Sequence, residues 1–271
     1  MKTIKSALRK ITYIDHTWLS YKTYPNFSEF ILPYLRNSWL RIRNRLTGGL
    51  PIPDPYLVYL VAGTDDVNWF LQAGELAANS IHDTFAQRGV DINQMGAILD
   101  FGCGVGRVTR HFRSTCQAQL FGTDINESLI NWCQQNLKFG QFQVNPLTGK
   151  LAYEDQQFDM IYALSVFTHL SEELQFHWLG ELMRVLKPDG YLYFSTHGDY
   201  YEKELLPADL EKYRAGELVV YYSDQEGSNT CAAFHPVSYV RNKLAKDLKL
   251  ITYIPEGAIG NPKQDVYVLQ K

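Results

Sequence analysis

Residues 97–107 read Ala97-Ile98-Leu99-Asp100-Phe101-Gly102-Cys103-Gly104-Val105-Gly106-Arg107, and this stretch decides the fold. An apolar run over 96–101 predicts a short buried strand, and the chain turns through glycines straight into a predicted helix at 105–115. A strand feeding a helix in this way places the glycines at the carboxyl edge of a parallel sheet, where open α/β folds bind ligands. Glycine at 102 and 104 lets the backbone approach a ligand with no β-carbon between. A dinucleotide fingerprint, G-x-G-x-x-G, seats pyrophosphate on the helix N-terminus. Here the third glycine comes one position early, and Arg107 stands where that fingerprint wants glycine, which argues against a nicotinamide cofactor.

Downstream, strand and helix signals alternate. Residues 119–124 predict a strand ending in Asp124, and 126–138 a helix with Asn126 as its N-cap. A weak strand at 142–145, a strand at 158–164 and a long helix over 171–186 follow. The turn Lys187-Pro188-Asp189-Gly190, with the positive torsion expected at the glycine, leads to a strand at 191–195. A helix at 236–248 then precedes strands at 250–254 and 265–269, a closing hairpin that makes the last strand antiparallel to its neighbours. The expected fold is therefore α/β: a doubly wound, mostly parallel seven-stranded sheet with helices on both faces.

Upstream, 65–88 reads as a helix, with a break expected near Gly74. Gly48-Gly49 and the prolines at 51, 53 and 55 mark a boundary, giving a largely helical extension over 1–60 and a main domain over 61–271. Residues 31–46 place Ile31, Leu35, Trp39, Ile42 and Leu46 at helical spacing among Arg36, Arg41, Arg43 and Arg45. Packing of that stripe on the main domain or a second subunit is the preferred reading, with contact to an anionic membrane surface as the alternative.

Composition narrows the classes. The 271 residues are 45% hydrophobic and 20% charged, enough to build a core. Residues 1–50 hold nine Lys/Arg against two Asp/Glu, and the remainder seventeen against twenty-seven, so the head is basic and the body acidic. Cys103, Cys116, Cys133 and Cys231 form no C-x-x-C pair, so neither a zinc site nor a disulfide framework is expected. The basic start lacks an apolar core behind it, and the longest apolar stretch, 56–63, is too short to span a bilayer. A cytoplasmic chain is expected, with peripheral membrane contact through 31–46 as the alternative, and there is no strong nucleic-acid signal.

Gly-x-Gly-x-Gly after Asp100 resembles the first motif of class I S-adenosylmethionine-dependent methyltransferases. The resemblance implies that the loop residues Phe101, Gly102, Cys103, Gly104, Gly106 and Arg107 touch the methionyl part of the cofactor, and that Asp100 serves its ammonium. Asp124, twenty positions after Gly104, is expected to accept hydrogen bonds from ribose hydroxyls, the competing reading being a cap for the next helix. Ile125 would cover one face of the adenine. Residues 158–170 resemble the family's fourth strand and following loop, bringing Leu164 to the cofactor, and 181–190 resemble the helix and turn entering its fifth strand. The family more often has glycine where Asp189 stands, and its third-strand acidic residue has no clear counterpart, leaving Asn145 as the candidate for the adenine edge.

The implied reaction is methyl transfer to a small-molecule or sugar-type acceptor through an oxygen nucleophile. An alcohol must lose its proton, and histidine is suited to take it near neutral pH. His197 and His169 follow the fifth and fourth strands, while His235 closes the insertion 199–236; His197 is the first choice. Tyr200, Tyr201, Tyr213, Tyr221 and Tyr222 make that insertion an aromatic cap or a packed appendage, with a substrate wall preferred. A nucleotide-dependent oxidoreductase, an aminopropyl transferase, or a scaffold binding RNA or membrane through the basic arm are the rivals.

Overall fold

A computed structural model describes residues 27–271, with side chains from 37 onward. The chain forms two compact units that divide between Val67 and Asn68.

In the first unit, α1 (Phe27–Leu46) is followed by α2 (Pro55–Ala62), with proline at the first turn of α2 and Gly63, at φ +65°, ending it in a left-handed cap. Asn37, Arg41 and Asn44 recur at helical spacing on α1 and are all engaged. Asn37 Nδ2 donates to the Asp65 carbonyl at 3.0 Å, Arg41 pairs with Asp54, and Asn44 Nδ2 donates to the Leu50 carbonyl. On the other side of the helix Trp39 is 57%, Ile42 59% and Leu46 82% exposed. Ile31, Leu35 and Arg36 lie outside the residues whose side chains are described.

The helix α3 (Val67–Ala86), which from Asn68 onward belongs to the second unit, runs unbroken through Gly74. The glycine serves another need, because a β-carbon there would meet the backbone carbonyl of Arg107. The sheet comprises β1 (Ala97–Phe101), β2 (Gln119–Asp124), β3 (Gly140–Val144), β4 (Phe158–Ala163), β5 (Leu186–Thr196), β8 (Lys249–Ile254) and β9 (Asp265–Gln270). Its order is β3-β2-β1-β4-β5-β9-β8, with β9 antiparallel to both neighbours and every other pair parallel. Side chains alternate with period two. Leu99, Phe101, Ile161, Leu192 and Phe194 face a core with Trp178 and Leu182 of α6 (Glu172–Val185), while Ile98, Met160, Tyr162 and Tyr193 face Ile81 and Phe85 of α3. Both faces are covered, as a parallel sheet requires.

Three local expectations are revised. The helix after the glycine loop shrinks to α4 (Thr109–Phe112), because Gly106 at φ +66° interrupts it. In the turn before β5's paired residues the positive torsion sits on Asp189, at φ +60°, and not on Gly190. Gly190 is required by crowding, since a β-carbon there would lie 2.9 Å from the Leu186 side chain and the Lys187 carbonyl. A glycine at position 189, the commoner residue in the resembled family, would take that torsion without strain, and aspartate tolerates it better than most. The helix expected over 236–248 is a short turn, α8 (Val237–Tyr239), that widens into a π-helical segment over Val240–Leu244.

Between β5 and α8 the insertion builds its own unit: α7 (Pro207–Arg214) and the antiparallel pair β6 (Val219–Tyr221) and β7 (Ala232–Phe234), around Leu205, Tyr213, Val219 and Phe234. It is stitched to the sheet edge where His197 bridges Phe234 and the His235 amide donates to the His197 carbonyl at 2.8 Å.

Candidate active site

The glycine loop leaves β1 with left-handed backbone at Gly102, Gly104 and Gly106 (φ +81°, +53° and +66°), which disfavours any side chain. A β-carbon on Gly102 would also collide with Val166, which follows β4. The loop's amides are committed internally. Gly102 and Cys103 both donate to the Thr123 carbonyl at 2.8 and 3.0 Å, Gly104 to Asp124 Oδ2 at 2.9 Å, and Gly106 to the Cys103 carbonyl at 2.9 Å. A phosphate cradle works by offering free amides to an anion. This loop offers carboxylates instead.

Asp100 is 5% exposed, and its Oδ2 accepts both available hydroxyls, from Thr109 at 2.5 Å and Tyr162 at 2.9 Å. The cross-strand register of β1 and β4 sets Tyr162 opposite Asp100. Among the described residues no donor is bonded to Oδ1. Burial pushes the carboxyl up to about 6 against the opposing pull of the two hydroxyls. A buried carboxylate with one uncommitted oxygen suits a cationic ligand group.

Asp124 ends β2 half-buried. Its Oδ2 accepts from Gly104, and its Oδ1 accepts from the Asn126 amide at 2.9 Å. Capping of α5 (Glu127–Asn136) belongs to Asn126, whose side chain accepts from Ser128 and Leu129, so Asp124 is not that cap. Each carboxylate oxygen keeps one lone-pair direction for a hydroxyl donor. Ile125 beside it is 41% exposed and Leu147 37%, and both approach Gly227 of the insertion. Carboxylate pair, left-handed glycine turn and exposed apolar wall together fit a cofactor that carries an ammonium, a ribose and an adenine.

Other expected residues support the loop. Phe101 packs its ring 5.0 Å from Trp178, and the Cys103 and Cys133 thiols both donate to the Gly104 carbonyl, so these two loop positions face the ligand only through backbone. Arg107 donates to the Gly260 carbonyl at 3.0 Å and to Asn261, joining the turn to the β8–β9 loop. Asn145 is buried, with its amide oxygen accepting from Thr123 at 2.8 Å and its nitrogen donating to the Pro146 carbonyl. Leu164 is half-buried at the end of β4, beside Ser165 at φ +57°.

The three histidines differ sharply. His169, in the turn after β4, donates from Nδ1 to the Cys231 carbonyl at 2.7 Å; a carbonyl only accepts, so Nδ1 carries the proton and Nε2 holds the lone pair. Nε2 has no partner among the described residues, and burial lowers the ring's pKa, keeping it neutral. His197 lies 6.4 Å away, centroid to centroid and perpendicular, packed 4.3 Å from Tyr201 and 5.5 Å from Phe234. Burial, with the neighbouring His169, pushes it down to about 4. His235 is wholly buried, with both ring nitrogens unbonded and its pKa pushed down to about 3, which seals it from any acceptor.

Sequence reading passed over several residues that shape this edge. Thr109 and Tyr162 brace Asp100. Gln264, 1% exposed at the start of β9, accepts from the Ser165 and Ser195 hydroxyls at 2.9 and 2.7 Å. The antiparallel insertion of β9 beside β5 brings it there, and no local motif announces it. In the insertion, Tyr213 is buried, donating to Asp199 at 2.9 Å and to the His235 carbonyl, and Tyr221 donates to Asp209, so both are packing residues. Tyr201 faces His197, while Tyr222 is 65% exposed. No grouping of three or more metal-ligating side chains occurs among the described residues.

Residues 99–194 match the family model for the methyltransferase domain. The sterol 24-C-methyltransferase of Schizosaccharomyces pombe is 32% identical over 124 residues, covering 43% of this chain and 32% of that protein. The malonyl-[acyl-carrier protein] O-methyltransferase of Halalkalibacterium halodurans is 30% identical over 109 residues, 38% of this chain and 39% of that one. The chain thus spans well under half the length of either. Among solved structures, an S-adenosylmethionine-dependent methyltransferase from Mesorhizobium loti superposes with a TM-score of 0.53 at 16% identity, covering 71% of this chain and 98% of its own, which is a likeness of fold.

Proposed function

We propose that the chain, whose residues 99–194 match the methyltransferase domain, is a class I S-adenosylmethionine-dependent methyltransferase that methylates an oxygen nucleophile on a small-molecule or sugar-type acceptor, with His169 as the base. The cofactor supplies an electrophilic methyl group on a sulfonium. Asp100 Oδ1 would hold its ammonium, Asp124 its ribose hydroxyls, and Ile125 its adenine. The protein's remaining tasks are alignment and exclusion of water, which together contribute up to roughly 7–11 kcal/mol in reactions of this kind.

The observation that carries the reading is the His169–Cys231 bond. It fixes one tautomer and leaves Nε2 as the only acceptor on the ring. The acceptor's O–H proton passes to Nε2 as the oxygen attacks, and the imidazolium so formed keeps its Nδ1–H donated to the Cys231 carbonyl until the proton leaves to solvent. His197, Tyr201 and Phe234 supply an aromatic wall next to that ring, suited to the apolar face of a planar or sugar ring. His197, first choice on sequence, becomes part of this wall.

The test is label transfer from methyl-labelled cofactor to a panel of hydroxylated, amine and carbon acceptors. Turnover confined to hydroxylated compounds, and lost in His169→Gln while S-adenosylhomocysteine still binds, is expected. Methylation of carbon or nitrogen acceptors alone, or full activity in His169→Gln, would refute the proposal.

A further inference from the structure

The first unit has its amphipathic helix inside out. At 100° per residue, Asn37, Arg41 and Asn44 fall within about 60° of one another on α1, and Trp39, Ile42 and Leu46 fall within about 60° on the opposite side. The polar side is the bonded one, tied to Asp65, Asp54 and Leu50. The apolar side is exposed at 57%, 59% and 82%. A surface helix in water normally buries the other stripe. Nearby, α2 (Pro55–Ala62) carries no charged residue, buries only Val58 completely, and leaves Tyr56 36% exposed.

Charge selects what covers this face. Arg43 and Arg45 are exposed along it, Arg43 lies 5.4 Å over the Trp39 ring, and residues 1–50 hold nine Lys/Arg against two Asp/Glu. An exposed apolar stripe with a tryptophan and a basic rim matches the boundary between acyl chains and acidic headgroups. No described helix is long and apolar enough to cross a membrane, so the geometry is that of lying on the surface. We propose that α1 docks on an anionic lipid surface, with Trp39, Ile42 and Leu46 entering the headgroup region and Arg43 and Arg45 meeting the phosphates.

Sedimentation of the full chain with phosphatidylcholine vesicles, with and without phosphatidylglycerol, tests this at low and high salt. Binding to the anionic vesicles that weakens with salt is expected. Trp39→Ser/Ile42→Ser/Leu46→Ser should abolish it, and Arg43→Gln and Arg45→Gln should each weaken it roughly fivefold, with S-adenosylhomocysteine affinity and melting temperature unchanged as controls for folding. If the triple variant misfolds, the arginine variants carry the test. Absent binding, equal binding to neutral vesicles, or unaltered binding by the arginine variants would overturn the proposal. So would a lipid-free dimer that the triple variant dissociates, which would make the face a self-association surface.

Discussion

His169 and Cys231 stand 62 residues apart in the chain and share a 2.7 Å hydrogen bond from ring nitrogen to backbone carbonyl. The insertion therefore grips the loop after β4, and it does so a second time where the Gly227 amide donates to the His169 carbonyl at 2.8 Å. His169→Ala removes the proposed proton acceptor together with the ring's bond to the Cys231 carbonyl, and keeps the backbone bond from the Gly227 amide to the residue-169 carbonyl. A fall in kcat of roughly 10²–10⁴-fold is expected, with cofactor affinity within a few-fold of wild type. A loss of cofactor binding equal to the loss of rate would mean that the ring holds the loop and takes no proton.

The pH profile separates His169 from His197. A base must be neutral to act, so kcat/KM should climb with pH through the pKa of the acting ring and level off above it. His169 is lowered from the ordinary 6.5 by burial, while His197 is held near 4. The expected acid limb lies below 6.5, persists in His197→Phe and vanishes in His169→Gln. A limb that disappears with His197 instead would return the role to that residue.

Asp100 makes two opposite predictions from one environment. Its carboxyl titrates at about 6 when buried and at 3.8 when free. Folded protein thus binds the proton more tightly than unfolded, so stability is full below 3.8, is lost as pH rises to about 6, and stays low above. The span corresponds to roughly 3 kcal/mol. Asp100→Asn, which still accepts from Thr109 and Tyr162, should raise the melting temperature of the free protein at pH 7 to 8 and leave it unchanged near pH 4. S-adenosylhomocysteine affinity should rise in wild type as pH passes about 6, and drop in the variant. Calorimetry across that range reads both, and a pH-independent affinity would remove Asp100 from the ammonium site.

Local chemistry was readable in the chain, and cross-chain placement was not. Asn126 caps α5 and Ser171 caps α6 as short side chains before an apolar periodic run do. The early third glycine and the terminal Asp124 are likewise local. By contrast, Tyr162 looks like any aromatic residue in a buried strand until the β1–β4 register sets it against Asp100. Gln264 lies in a turn-rich segment that carries no signal, and it reaches Ser165 only because β9 runs antiparallel to β5. Among the histidines the sequence ranked His197 first for its place at a strand end, and it carried no sign of their separate environments. Their differences are of burial and partner, which belong to the packed insertion.

Gly74 tests close approach against helix propensity. In an exposed helix interior, alanine is favoured over glycine by about 1 kcal/mol. Here the added methyl group meets the Arg107 carbonyl, and backbone cannot yield as a flexible side chain would. Gly74→Ala should therefore destabilise the protein by about 1–3 kcal/mol in denaturant unfolding. It should also weaken cofactor binding, because Arg107 adjoins Gly106. A stabilised variant would show that α3 and the glycine turn are further apart.

At Asp124 one substitution separates cofactor binding from chemistry. In Asp124→Asn the amide oxygen accepts from one of the two backbone amides, Gly104 or Asn126, and the NH2 group confronts the other. The variant also loses the charge that strengthens bonds from ribose hydroxyls. Hydrogen bonds to a charged group contribute about 1.5–3 kcal/mol each, so S-adenosylhomocysteine affinity should fall roughly tenfold to a hundredfold. With the acceptor's proton assigned by the proposal to His169, in the turn after β4, kcat at saturating cofactor should change little. Isothermal titration paired with label transfer measures the two quantities. An unchanged affinity would leave Asp124 as a brace for the glycine turn and place the ribose elsewhere.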